Sequence, residues 1–180
     1  MSKAIQHTDD GRYLIVNGRK WRATNPHVPA SLRTELVAEL MAARRAVKHA
    51  KGDEGATASA RERVGDAKTA LGERGEPWWE PATDEGVRTH IRAAIHALLR
   101  ARDRSSSICA SEAARIVASP DWHRVMDTVH SVAAAMAAEG LIEATHKGQG
   151  AEHPACAEGS LRYRRVAGAP TSSAQGPLGV

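Results

Sequence analysis

Arg124, Thr128 and Ser131 stand four and three residues apart, a spacing that puts one guanidinium and two hydroxyls on a single helix face. Laid in a major groove, such a face offers Arg124 to guanine N7 and O6, and Thr128 or Ser131 to a phosphate or base edge. Arg162 and Arg164, two apart, share one face of a strand, and Lys147 lies near the end of the strand segment before them. Those three suit phosphates, each neutralised phosphate adding about 0.9 to the salt slope of duplex binding. The plainer reading of both groups is solvated surface. Asp127 sits among the helical residues, where it repels phosphate. Cross-strand pairing with Glu143 or Thr145 would absorb the strand arginines for about 0.2–1 kcal/mol.

Other constellations carry less. His123, Asp127 and His130 form an i, i+4, i+7 row, but seven residues span about 10.5 Å of helix axis, too far for both rings to share one metal. Zinc sites draw on more than one element, so no metal is expected. Cys109 and Cys156 are the sole cysteines and form no C-x-x-C pair, which argues against a disulfide framework or zinc ribbon. Cys109 reads as a buried structural thiol. Trp78 and Trp79, within a Pro77 to Pro81 segment, could stack bases or a partner surface, or simply glue a linker to a domain face. No Ser/His/Asp order, Gly-rich phosphate loop, H-E-x-x-H or paired catalytic carboxylates is present, so neither catalytic residues nor a cofactor are expected.

The elements that must position these residues are mostly helices. The 180-residue chain is 42% apolar and 26% charged, with 3% aromatics and no Phe, so burial rests on Leu, Ile, Val and Ala. Net charge is +4, yet it is uneven: up to Pro81 there are 14 Lys+Arg against 11 Asp+Glu, and beyond it 11 against 10. Lys20, Arg22, Arg44, Arg45 and Lys48 make the front the more basic half, an Arg-Arg helix flank being usually solvated but able to extend a DNA footprint. No stretch of 18 apolar residues and no signal-type start appear, so a cytoplasmic protein without membrane contact is expected.

Arg12 to Val16, Asn17-Gly18 and Arg19 to Ala23 predict a β-hairpin with a type I′ turn, pairing Leu14 with Trp21, Val16 with Arg19, Tyr13 with Arg22 and Ile15 with Lys20. Its Leu14/Trp21 side is expected to pack inward. Leu32, Leu36, Leu40, Ala43 and Val47, then Ala60, Val64, Ala67 and Leu71, predict two antiparallel helices around Lys51 to Gly55. Gly72, Gly75 and the Glu76 to Pro81 segment end this front part. Val87 to Leu99 forms a further helical stripe, Ile108 a brief strand, and Ser111 the expected cap of a helix over 112–117. A helix opened by Ser119-Pro120-Asp121 buries Trp122, Val125, Val129, Val132, Ala133 and Met136, and Gly140 stops it. Strands at 141–147 and 161–166 then flank a loop over 148–160. The division is 1–81 for the hairpin and helical hairpin, 82–167 for the second unit, and 168–180 for a disordered Gly/Ala/Pro/Ser tail.

Ser107-Ile-Cys-Ala-Ser-Glu-Ala-Ala-Arg115, Trp122-His-Arg124, Ala138-Glu-Gly140 and Gly159-Ser-Leu-Arg162 give residues 91–166 a resemblance to an uncharacterised bacterial winged-helix family of the domain-of-unknown-function 3253 type. Ala110, His123 and His130 stand where that family has Pro, Arg and Arg. The front, by Asn17 to Ala23 and Gly75 to Glu80, resembles small stand-alone bacterial proteins of unknown function. The expected fold is α+β, mainly α, with an N-terminal β-hairpin plus antiparallel helical hairpin and a C-terminal winged helix-turn-helix. The expected function is non-enzymatic binding of double-stranded DNA, as in a small transcriptional regulator, through Arg124, Thr128, Ser131, Lys147, Arg162 and Arg164. The alternative is a protein-interaction or homodimerisation module that uses Trp78 and Trp79.

Overall fold

A computed structural model describes residues 6–146, 149–150 and 161–166; Lys147, the rest of the 148–160 loop and the tail lie outside the described residues. Three strands open the chain: β1 (Gln6–His7), β2 (Tyr13–Val16) and β3 (Arg19–Arg22), antiparallel in that order. Asn17 and Gly18, at φ 50 and 74, turn β2 into β3, and all four expected cross-strand pairs form. β1, unforeseen from the sequence, pairs Gln6 with Ile15 and His7 with Leu14.

The direction of packing differs from expectation. Trp21 is 45% exposed, while Tyr13 on the other face meets the Trp79 ring at 5.4 Å. Arg22 donates to the Gly75 and Glu76 carbonyls at 2.8 and 3.2 Å. The linker supplies a ring and open carbonyls on that side, whereas the second helix meets Trp21 with the Lys68 ammonium.

Helices α1 (Ala30–His49) and α2 (Glu54–Ala70) form the expected antiparallel pair. Asp53 caps α2 by accepting from the Ala56 N–H at 2.9 Å. Leu32, Leu36, Leu40 and Ala43 are buried against Ala60, Ala67, Ala70 and Leu71, the small α2 side chains allowing close approach. Glu39, only 2% exposed, lies within this seam and receives a two-pronged Arg63 guanidinium at 2.8 and 2.9 Å.

Gly72 takes φ +75 after α2, and a Cβ there would lie 2.9 Å from Asn25 Cβ and 3.2 Å from Trp78 Cδ1. Trp78 Nε1 donates to the Ala23 carbonyl at 3.1 Å. Thr83 caps α3 (Asp84–Ala101), and Glu76 accepts from the Thr83 N–H at 2.9 Å and its hydroxyl at 2.6 Å, which tethers the linker to that helix.

β4 (Ser107–Cys109) leads into α4 (Ala110–Ala118), then a 3₁₀ turn over Trp122–Val125, α5 (Met126–Ala138), β5 (Ile142–His146), β6 (Gln149–Gly150) and β7 (Leu161–Arg165). The second sheet runs β4-β7-β5-β6. Ser111 is not the cap of α4: Cys109 holds that place, because Glu112 reaches back to accept its N–H at 2.6 Å. Ser111 instead donates to Cys109 Sγ at 3.1 Å. Gly140, at φ 72, follows α5 with the Leu141 N–H on the Met136 carbonyl and the Gly140 N–H on the Ala137 carbonyl, a Schellman closure.

One apolar core runs from Val28 and Leu36 through Leu71, Ile91, Ile95 and Leu98 to Ile108, Val129, Met136 and Tyr163, so front and back elements share it. Arg102, just after α3, ties the same regions by charge. Its guanidinium donates to Glu35 of α1 at 2.7 and 3.1 Å, to Glu112 of α4 at 3.1 and 2.6 Å, and to the Ser107 carbonyl at 3.1 Å.

With Arg102 only 20% exposed, Arg102→Ala should lose about 2–4 kcal/mol of urea-unfolding stability because two half-buried carboxylates are left unpaired. Arg102→Lys should recover only part, since a point charge cannot span both forks. Gly72→Ala should lower Tm by several degrees through its positive φ and the Asn25 clash, read in thermal melts against Gly52→Ala, where a Cβ meets open space at a similarly positive φ.

Candidate nucleic-acid interface

The 3₁₀ turn and α5 carry the helical candidates. Val129, Val132, Ala133 and Met136 bury the inner side, and Trp122 and Val125 pack partly against the core. His123 stacks on Trp122 with ring centroids 3.5 Å apart, and Arg115 lies over the same indole at 5.0 Å. Arg124, Asp127 and Ser131 are exposed, whereas Thr128 is half-buried. Arg88 of α3 reaches Ser131 Oγ at 3.5 Å. Arg124 has no ion-pair partner among the described residues and lines a cleft of about 690 Å³ that it shares with Trp78, Thr89, His90 and Val117.

His130 is not on the solvent side of α5. Its Nδ1 lies 3.0 Å from the Tyr163 hydroxyl, and burial lowers its pKa, so it is neutral at pH 7. Burial also raises the Tyr163 pKa, with Cys109 adding to the effect, and the phenol keeps its proton. Of the i, i+4, i+7 row, His130 thus faces Tyr163 while His123 stacks on Trp122.

On β7 the two arginines are spoken for locally. Arg164 donates to Glu143 Oε2 at 2.7 Å across the strand pair, while Arg162 donates to the Ser107 hydroxyl at 2.7 Å and its carbonyl at 3.0 Å. Arg165 donates to the Arg102 carbonyl at 2.8 Å. Lys147 lies outside the described residues. Trp78 and Trp79 are half-buried and meet edge to face at 5.1 Å, gluing the linker to the first sheet.

Two groupings escaped the sequence reading. Glu62 and Asp66 on α2 meet His96 on α3, with ligand atoms within 4.8 Å of one another. A cation already occupies this place, because Arg100 lies 2.5 Å from Asp66 and 3.9 Å from Glu62, so the cluster is an ion-pair network. The i, i+4 spacing of Glu62/Asp66 and of His96/Arg100 was its available signal. The other is a set of cations over aromatic rings on both faces of the β2–β3 hairpin. Arg19 and Lys68 lie over the Trp21 ring at 5.6 and 5.3 Å, and Lys20 lies 4.0 Å from the Tyr13 ring centre.

Residues 88–166, roughly the latter half of the chain, match a family described as Protein of unknown function (DUF3253). No curated protein matches the chain. No helix among the described residues is long and apolar enough to cross a membrane.

Burial, then the positive charges of Arg100 and Arg92, lowers the His96 pKa to about 4, and its Nε2 has no hydrogen-bond partner among the described residues. Because the folded value lies below that of the unfolded chain, the imidazole adds no pH-dependent cost well above pH 6.5 and destabilises the fold progressively as pH falls toward 4. Urea-unfolding stability should fall over that window by about 2–3 kcal/mol, and His96→Leu should remove most of the slope.

Proposed function

We propose that α3 through β7 form a winged helix that binds double-stranded DNA without catalysis, with α5 entering the major groove. The observation that carries this reading is the exposure of Arg124, in the 3₁₀ turn that leads into α5, and of Ser131 on α5, with no ion-pair partner for Arg124 among the described residues. Support also comes from the order of elements, in which β7 lies between β4 and β5 after two helices and the α5 segment. Arg88 beside Ser131 adds a guanidinium, and the half-buried Thr128 is the third candidate contact.

Arg162 and Arg164 flank this helix as phosphate ligands, with Lys147 assigned the same role. The Arg164–Glu143 pair is half-exposed, so it is worth little in water and a phosphate can replace it. Asp127 opposes phosphate and restricts the helix to groove positions where a base donor, such as cytosine N4, meets it. A cytoplasmic transcriptional regulator is the corresponding cellular role.

A second reading, a protein-interaction or homodimer module, is favoured by the neutralisation of Arg92 by Glu139 and of Arg164 by Glu143 on the same half. Trp78 and Trp79, both half-buried, would serve it only through their outer edges.

Fluorescence anisotropy of labelled duplex against salt decides between them. Wild type should show a negative log–log slope, with Arg162→Ala/Arg164→Ala shrinking it by about 0.9 for each phosphate that is no longer neutralised. Arg124→Ala should weaken binding about ten-fold. Absence of binding at low salt, or variants identical to wild type, would sink the DNA reading; a sedimenting dimer that disappears in Trp78→Ala would favour the second.

A further inference from the structure

We propose that the β1–β3 sheet binds single-stranded DNA, with Trp21 as the stacking ring and Arg19 and Lys68 as phosphate ligands. The strand register places Leu14, Val16, Arg19 and Trp21 on one face, and Trp21 and Val16 remain 45% and 39% exposed there. Arg19 of the same strand and Lys68 of α2 both lie over the indole. Along the sequence no acidic residue occurs between Asp10 and Glu35, while Arg12, Arg19, Lys20, Arg22 and Arg33 fall in that interval. Asp10 pairs with Arg12 and attracts Lys20, whereas Arg19 and Lys68 lie over a ring and are not neutralised as they would be by a carboxylate.

This pairing of an exposed ring with unneutralised cations fits an unpaired base and its phosphates. A nucleobase stacks on the indole once the guanidinium and ammonium that lie over it turn to the flanking phosphates. A duplex hides its base faces and offers a ring nothing to stack on, so the sheet favours a single strand. Cations on the β3 edge also discourage edge-to-edge pairing, but that task needs no exposed tryptophan beneath them. The assignment to DNA rather than RNA rests on reading the second half as a duplex-DNA binder, which would hold a single strand beside its own duplex.

The test uses the full chain with labelled oligothymidylate of about 15 nucleotides, the matching oligouridylate and a blunt duplex. Oligothymidylate should bind with a salt slope that falls by about 0.7 for each cation removed in Arg19→Gln and Lys68→Gln. Trp21→Ala should weaken it about ten-fold, Trp21→Phe should keep most of the affinity, and neither should alter duplex binding. Thermal melts confirm that each variant is folded. No binding of oligothymidylate, or binding unchanged in folded Trp21→Ala, overturns the proposal, and equal or tighter binding of oligouridylate overturns its assignment to DNA. Trp21-dependent binding that survives in Arg124→Ala, even where duplex binding is absent, supports the sheet and counts only against the proposed role of α5.

Discussion

Arg102 is the residue on which the assembly of front and back depends. Its backbone N–H closes α3 on the Leu98 carbonyl, its guanidinium gathers Glu35, Glu112 and the Ser107 carbonyl, and its own carbonyl accepts from Arg165. Five elements, α1, α3, β4, α4 and β7, therefore meet at one residue. Burial opposes ionisation of Glu112, but hydrogen bonds from Arg102 and the Cys109 N–H outweigh it, so its pKa is lowered. The same carboxylate that caps α4 thus anchors α1 through a shared cation. A half-buried ion pair is a poor source of net stability, yet it is a strict one, because each partner is expensive to leave alone. The apolar core supplies the stability, and Arg102 fixes how its layers are oriented.

That network also sorts the cations. Arg63, Arg92, Arg100, Arg102 and Arg164 face carboxylates, so their charge is absorbed within the fold. Arg19, Lys20, Arg22 and Lys68 face aromatic rings, which hold a cation in place without cancelling it.

The sequence made the local elements plain wherever a single physical signal dominated. Asn17-Gly18 set the β2–β3 register because only a type I′ turn suits it, and the leucine spacing of α1 set its inner face. Gly140 stopped α5 through its positive φ. Failures came where the outcome depended on a distant partner. Ser111 is the better cap by type, but Glu112 is positioned by Arg102 to serve Cys109. Leu14/Trp21 is the more apolar hairpin face, yet Trp79 and the linker carbonyls claimed Tyr13 and Arg22 instead. Among candidate site residues, the exposure of Ser131 followed from helical period and the Arg164–Glu143 pair from strand alternation, while the 3₁₀ turn that carries Arg124 and the hold of Ser107 on Arg162 needed distant contacts.

Aromatic scarcity explains why one residue stands apart. With no Phe and only four Trp and two Tyr, each ring is a large share of the apolar surface the chain can bury. Tyr163 fills the core beside His130, Trp122 packs under Arg115 and His123, and Trp78, Trp79 and Tyr13 join the linker to the first sheet. Trp21 alone is left among the exposed large hydrophobics of that set. Its neighbours are cations from two elements, so its exposure is not the slack end of a packed cluster. A smaller β-branched residue would satisfy the strand as well, and the hairpin needs no indole for its turn. The indole at this position therefore leaves nearly half of its residue open to solvent, beside two cations that have no ion-pair partner among the described residues.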